Sequence, residues 1–101
     1  MSTETPTILP DLLNRVEAII DCGAATATEL GQFLLPDQDK RQSGIRVSEW
    51  IRSRKKSPNG EIALRMKEWC ARKELEIMQK RMATKYRTAY RGVLNKRVVK
   101  A

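Results

Sequence analysis

Apolar residues recur along this chain at intervals of three and four, which is the spacing of one face of an α-helix. The first such segment starts at Pro10, since proline is tolerated in the first turn of a helix, and Gly23 is a suitable stop. Its buried stripe is predicted to consist of Leu12, Val16, Ile19 and Ile20. Residues 1–9 are rich in Ser and Thr and are predicted to form a flexible N-terminus.

A second helix is predicted over about 27–35, before Pro36 ends it. Thr26 precedes Glu29 by three positions, the spacing of a capping box at a helix N-terminus. The residues expected to be buried are Leu30, Phe33 and Leu34. Gly31 disfavours a helix, so it is either simply tolerated or required because another helix passes close by.

The third predicted helix spans about 44–53 and is amphipathic, with Ser43 as its N-cap. Its apolar face is formed by Val47, Trp50 and Ile51. The polar segment before it leaves a second possibility open, a start near Asp37 or Asp39. Three consecutive cations follow the helix: Arg54, Lys55 and Lys56.

A turn over 57–60 precedes the fourth predicted helix, which begins near Glu61 and meets no glycine or proline before Gly92. Its first apolar stripe consists of Ile62, Met66, Trp69 and Cys70. A second stripe continues the helical spacing through Leu75, Met78, Met82, Tyr86, Ala89, Tyr90 and Val93. The pattern therefore predicts one helix of about 30 residues, followed by a basic tail.

The second stripe has two interpretations. We favour a homodimer contact, with Leu75, Met78, Met82, Tyr86 and Tyr90 as the contacting residues. The alternative is that this segment folds back on the rest of the chain. Because 101 residues can bury only a modest core, self-association would provide additional burial.

The charge of the chain is strongly polarised. Its formal net charge is +8, but residues 1–39 contain seven acidic residues and one arginine, whereas residues 40–101 contain nineteen basic residues and five acidic ones. No acidic residue follows Glu76. This distribution is typical of a protein that binds a polyanion, most often nucleic acid, rather than of a basic helix that serves solubility.

The sequence offers little for catalysis or metal binding. It has no histidine, and its two cysteines, Cys22 and Cys70, are too far apart for a zinc motif. Both cysteines lie among apolar residues and are interpreted as core or near-core side chains. We therefore expect no enzyme activity, no metal and no cofactor. The absence of a long apolar segment or a signal-peptide pattern predicts a soluble, cytoplasmic protein without a membrane partner.

Residues 10–72 resemble the lambda-repressor-like helix-turn-helix family of phage Cro-type DNA-binding regulators. The resemblance is carried by Thr26-Ala27-Thr28-Glu29-Leu30-Gly31-Gln32-Phe33-Leu34, by Ser43 to Arg52, and by Ser57-Pro58-Asn59-Gly60-Glu61. It implies an all-α helix-turn-helix bundle of four to five helices, with 73–101 as a long, basic C-terminal helix and tail. One departure is the longer segment between Leu34 and Ser43. It implies either a loop over 36–42 or an earlier start of the recognition helix, near 37–40.

The resemblance also implies roles for individual residues. Those expected to face the bases in the major groove are Ser43, Gly44, Ile45, Arg46 and Glu49. Those expected to contact DNA phosphates are Thr26, Thr28, Lys40, Arg41, Arg52, Arg54, Lys55 and Lys56. The implied partner is double-stranded DNA, bound by a homodimer without a small-molecule effector.

Three functional hypotheses follow, the third being an interaction protein whose long helix binds a larger complex while its charge serves solubility. The first is a sequence-specific transcription regulator, a phage- or plasmid-type repressor of a bacterial cell. The second is an architectural or single-strand nucleic-acid binder that uses the basic C-terminal helix, with Tyr86 and Tyr90 stacking on bases. Trp50 and Trp69 lie on apolar stripes, so they are interpreted as core residues rather than as stacking platforms.

Overall fold

Five α-helices make up most of the chain in the computed structural model, which describes the backbone of residues 4–53 and 60–98 and the side chains of 12–53 and 60–96. The helices are α1 (Glu4–Asp21), α2 (Ala27–Leu34), α3 (Lys40–Ser53), α4 (Gly60–Gln79) and α5 (Ala83–Val98). The described residues contain no strand, which confirms the predicted all-α class. None of these helices is both long enough and apolar enough to cross a membrane.

The first helix is the centre of the fold, because α3, α4 and α5 all pack against it. The predicted stripe is correct: Leu12, Val16 and Ile19 are buried, and Ile20 is partly buried. Leu13 and Ala18 are buried as well. A helix with neighbours on several sides buries more than one stripe, which the single-face reading of the sequence underestimates.

Both ends of α1 can be compared with the prediction. The helix begins at Glu4, six residues before Pro10, so 4–9 are helical where the sequence predicted a flexible segment. Pro6 rather than Pro10 therefore lies in the first turn, where a missing N–H costs nothing. At the other end Gly23 has φ +89°, and its N–H donates to the Ile20 carbonyl, which confirms the predicted stop.

The second and third helices are joined by only five residues, 35–39, and lie close together. The predicted start of the third helix at Gly44 is wrong. The helix begins at Lys40, near the second start that the sequence left open, and Ser43 N–H already donates to the Asp39 carbonyl at 2.9 Å. Gly31 is required by this packing, since a Cβ there would lie 2.6 Å from the Ser43 carbonyl carbon.

The single long helix predicted from Glu61 to Gly92 is also wrong, because the chain turns between α4 and α5. Arg81 adopts φ +57°, Arg81 N–H donates to the Met78 carbonyl, and Met82 N–H donates to the Ile77 carbonyl. These are the paired bonds of a Schellman motif. Met82 then packs on the core cluster that contains Ile77, the apolar contact that usually accompanies this motif.

Arg81 is expected to be a site where a glycine stabilises the protein. A non-glycine residue in the left-handed region costs about 1–2 kcal/mol, of which the greater freedom of glycine in the unfolded chain offsets a part. Arg81→Gly should therefore raise the free energy of unfolding by about 0.5–1 kcal/mol in urea denaturation. Lys80→Gly is the matched control, because Lys80 has no positive φ, and it should be destabilising. Equal losses in both variants would contradict this assignment.

The turn lets α5 return along α1, so the predicted alternative of folding back is the one that the structure contains. Val93 is buried, and Met82 and Tyr86 pack against the core. Lys96 Nζ on α5 lies 2.7 Å from a carboxylate oxygen of Glu17 on α1. The predicted core roles of Trp50, Trp69 and Cys70 are confirmed by their burial; Cys22 is partly buried, and both cysteines are free thiols.

Candidate nucleic-acid interface

The outer face of α3 is defined by what its inner face buries. Val47 is fully buried and Trp50 nearly so, and both belong to the core cluster. At 3.6 residues per turn, the opposite side of the helix is centred on positions 45 and 49, with 41, 42 and 52 beside them and 46 and 48 at its two edges. The residues at these positions are exposed or half-buried: Arg41, Gln42, Ile45, Arg46, Ser48, Glu49 and Arg52.

Two of the predicted base-facing residues do not lie on this outer face. Ser43 is fully buried, where its hydroxyl donates to the Lys40 carbonyl and accepts from Gln32 Nε2 at 3.3 Å. Gly44 is buried against α2, since a Cβ there would lie 2.9 Å from Thr28 Oγ1. Both residues therefore hold α2 and α3 together and cannot face a base. The other three, Ile45, Arg46 and Glu49, are exposed.

The N-terminal turn of α2 borders the same surface. Thr26 Oγ1 accepts a hydrogen bond from Glu29 N–H at 3.1 Å, which confirms the predicted N-cap. Thr28 lies two residues after Thr26, in the first turn of α2, and its exposed side chain is next to α3. The helix N-terminus thus places backbone N–H groups and the exposed Thr28 hydroxyl on the same side as the cations of α3, an arrangement suited to a phosphate.

These elements enclose a shallow groove between α2 and α3, which we call the α3 groove. Its lining residues are Ala27, Thr28, Arg41, Gly44, Ile45, Ser48 and Arg52. Arg41, predicted as a phosphate contact, lies in the first turn of α3, as the earlier of the two possible helix starts implies. Ser48 was not predicted at all. The burial of Val47 and Trp50 was the signal that would have placed positions 41, 45, 48 and 52 together on the opposite face.

The remaining predicted phosphate contacts divide into two groups. Lys40 and Arg52 are exposed on α3, at its first turn and its last. Arg54, Lys55 and Lys56 lie outside the described residues.

Among the residues that the structure does describe, no group of His, Cys, Asp and Glu could hold a metal ion.

The predicted dimer contacts are separated by the turn at Arg81. Leu75 and Met78 on α4 are 60% and 67% exposed. Met82 and Tyr86 instead pack against the core, and Tyr90 is half-buried. Leu64, which the sequence did not single out for a contact, is 68% exposed on α4. It lies on the same helical face as Leu75 and Met78, so the exposed apolar surface runs along α4 rather than α5.

Comparisons with known proteins give no relative for this chain: no protein-family model, no curated protein and no solved structure matches it.

Proposed function

We propose that this protein is a sequence-specific double-stranded DNA-binding transcription regulator, a Cro-like repressor of the phage or plasmid type that acts by covering a promoter. The observation that carries the proposal is the α3 groove, in which the exposed cationic face of α3 adjoins the N-terminus of α2. Helix-turn-helix proteins place a helix in the major groove while the preceding helix contacts the DNA backbone. The proposal is for binding rather than catalysis.

The length of α3 supports a division of roles along its outer face. Arg41 and Arg52 are eleven residues apart, which corresponds to about 16 Å along a helix. The major groove is about 12 Å wide, so these two arginines would reach the backbones on either side. Ile45 and Glu49 lie between them along the helix and would face the base edges, while Arg46 would reach a base from the edge of this face. Arg46 would donate to guanine, Glu49 would accept from cytosine, and Ile45 would contact a thymine methyl group.

A second copy of this chain fits the exposed face of α4. Leu64, Leu75 and Met78 are exposed apolar side chains on one face of this helix, and exposed apolar surface is a feature of protein contacts. The molecule measures 34 × 32 × 27 Å. These extents are comparable with the roughly 34 Å of one DNA turn that separates the half-sites of a helix-turn-helix dimer. We infer that the protein binds a palindromic site in the cytoplasm, without a small-molecule effector.

Selection of bound sequences from a random double-stranded DNA pool tests this function. At about 150 mM salt, weak surface attraction is screened, so specific contacts dominate the enrichment. We expect a palindromic consensus whose half-sites are separated by about 10 base pairs. Enrichment of duplexes without any consensus would contradict sequence reading by α3. A consensus consisting of a single half-site would contradict the dimer alone.

A further inference from the structure

A second surface of interest is a cleft between α1, α4 and α5, which shares no lining residue with the α3 groove. Its volume is about 430 Å³, which is within the range of small-ligand sites. It is lined by Arg15, Glu74, Tyr86, Arg87, Tyr90, Arg91 and Leu94. The main contacts of α5 are with α1 and α4, whereas α2 and α3 pack mainly on each other. The cleft and the α3 groove are therefore separate sites.

One wall of the cleft is held rigidly by an ion pair. Arg15 donates through Nε and Nη2 to the two carboxylate oxygens of Glu74, at 3.0 and 2.8 Å. The Tyr86 hydroxyl donates to the same carboxylate. Bidentate pairing of this kind fixes the orientation of all three side chains. It also fixes the position of the Tyr86 ring.

The pKa shifts of Glu74 and Tyr86 both favour this hydrogen-bonded arrangement at neutral pH. Burial raises the pKa of the Glu74 carboxyl, but the hydrogen bonds from Arg15 and Tyr86 and the arginine charge together bring it below 4.5. Burial, followed by the hydrogen bond to Glu74, raises the pKa of the Tyr86 hydroxyl. At neutral pH the carboxylate is therefore ionised and the phenol is protonated, so Tyr86 stays a donor to Glu74.

The open side of the cleft combines aromatic rings with unpaired cations. The ring centroids of Tyr86 and Tyr90 are 6.5 Å apart, with the planes inclined at 49°. Arg87 and Arg91 are exposed one helical turn apart, and neither forms an ion pair with any residue in the described part of the chain. Stacking rings beside a line of positive charge are the features by which proteins bind unpaired nucleotides.

We propose that this cleft binds a nucleotide unit of single-stranded nucleic acid, with its base against Tyr90 and Leu94 and its phosphates on Arg87 and Arg91. The positive charge of the cleft extends over one helical turn, from Arg87 to Arg91, and α5 has no acidic residue. A polymer would use this extended charge, whereas a free nucleotide would not. The proposal is independent of duplex reading by α3.

The experiment measures binding of a fluorescently labelled ten-residue oligothymidylate by anisotropy at low salt. An abasic oligomer with the same number of phosphates serves as the reference ligand. The chain has two tyrosines and both line the cleft, so ring-labelled tyrosine gives NMR signals that report on the cleft alone. Thymidine monophosphate is titrated separately, to distinguish a free nucleotide from a strand.

The variants separate the cleft from general electrostatics. Arg87→Gln with Arg91→Gln removes two exposed cations of the cleft, and Lys67→Gln with Lys80→Gln removes two exposed cations elsewhere. Tyr90→Leu removes the ring but keeps apolar volume, and its folding is checked by circular dichroism. We expect the cleft arginine pair to weaken oligothymidylate binding about tenfold or more, and Tyr90→Leu to weaken it several-fold. The Lys67 and Lys80 pair should cause a much smaller loss.

The results distinguish this proposal from the proposed function. Binding of duplex DNA should be retained in the two cleft variants, and both tyrosine signals of the wild type should shift with oligothymidylate but not with the abasic oligomer. Equal affinity for the two oligomers would overturn the cleft as the binding site. So would an equal loss of affinity for oligothymidylate in the Arg87/Arg91 and the Lys67/Lys80 variants. Tyrosine shifts that saturate equally well with thymidine monophosphate would overturn the strand as the ligand. If the wild type failed to bind duplex DNA but its tyrosine signals still shifted with oligothymidylate, the result would count against the α3 groove only.

Discussion

Replacing Gly31 with alanine is expected to destabilise the protein by about 2–3 kcal/mol, the range of severe overpacking in a core. The added Cβ would lie 2.6 Å from the Ser43 carbonyl carbon, 2.7 Å from its oxygen and 2.8 Å from Ser43 Oγ. Two of these atoms belong to the backbone, so no side-chain rotation relieves the clash. The helices α2 and α3 would have to separate, which overrides the better helix propensity of alanine.

Gly92→Ala is the matched control for this prediction. Gly92 lies inside α5, and a Cβ there would meet nothing within 4 Å. Alanine should therefore stabilise the protein by about 0.5–1 kcal/mol through helix propensity alone. In thermal unfolding we expect the melting temperature to fall by about 10 °C or more for Gly31→Ala and to rise by a few degrees for Gly92→Ala. A rise for both would show that α2 and α3 are not in close contact.

Removing Arg41 and Arg52 together is expected to weaken duplex DNA binding and to make it less dependent on salt. Each phosphate contact contributes about 0.9 to the slope of log affinity against log salt concentration. The Arg41→Gln, Arg52→Gln variant should therefore have a slope smaller in magnitude by about 2. Both side chains line the α3 groove at opposite ends of the helix, so both backbone contacts would be lost.

The control for the salt experiment is again the Lys67→Gln, Lys80→Gln variant. It removes the same amount of charge from exposed positions that do not line the α3 groove. Its slope should stay close to that of the wild type if phosphates contact α3. The same decrease in both variants would indicate a response to net charge, and it would remove the basis for assigning the α3 groove to DNA.

Periodicity predicted the core of this protein well, because burial repeats at the helical interval whatever the arrangement of the helices. Leu12, Val16, Met66 and Cys70 were all placed correctly in this way. The capping signal at Thr26 was equally local, and the hydrogen bond to Glu29 N–H confirms it. For Gly31 the sequence left two alternatives open, and the contact with Ser43 decides for the one in which another helix passes close by.

The errors arose where a tertiary contact replaced the usual local signal. Arg81 has the left-handed backbone conformation that a glycine usually adopts at a helix C-terminus. Because no glycine stands there, the sequence contained no sign of the turn between α4 and α5. Ser43 has the side chain of an N-cap, but its hydroxyl is used inside the contact between α2 and α3. The cleft could not be predicted from the sequence either, because it exists only when α5 folds back on α1.

The most direct test of sequence reading by α3 is parallel selection from a random duplex pool with the wild type and with Arg46→Gln. Arg46 is exposed on the outer surface of α3, so the substitution should leave the fold intact. The account predicts a wild-type consensus in which Arg46→Gln relaxes one base position per half-site, at a cost of about 1–3 kcal/mol for the preferred base. An identical consensus from both proteins, or none from either, would contradict it.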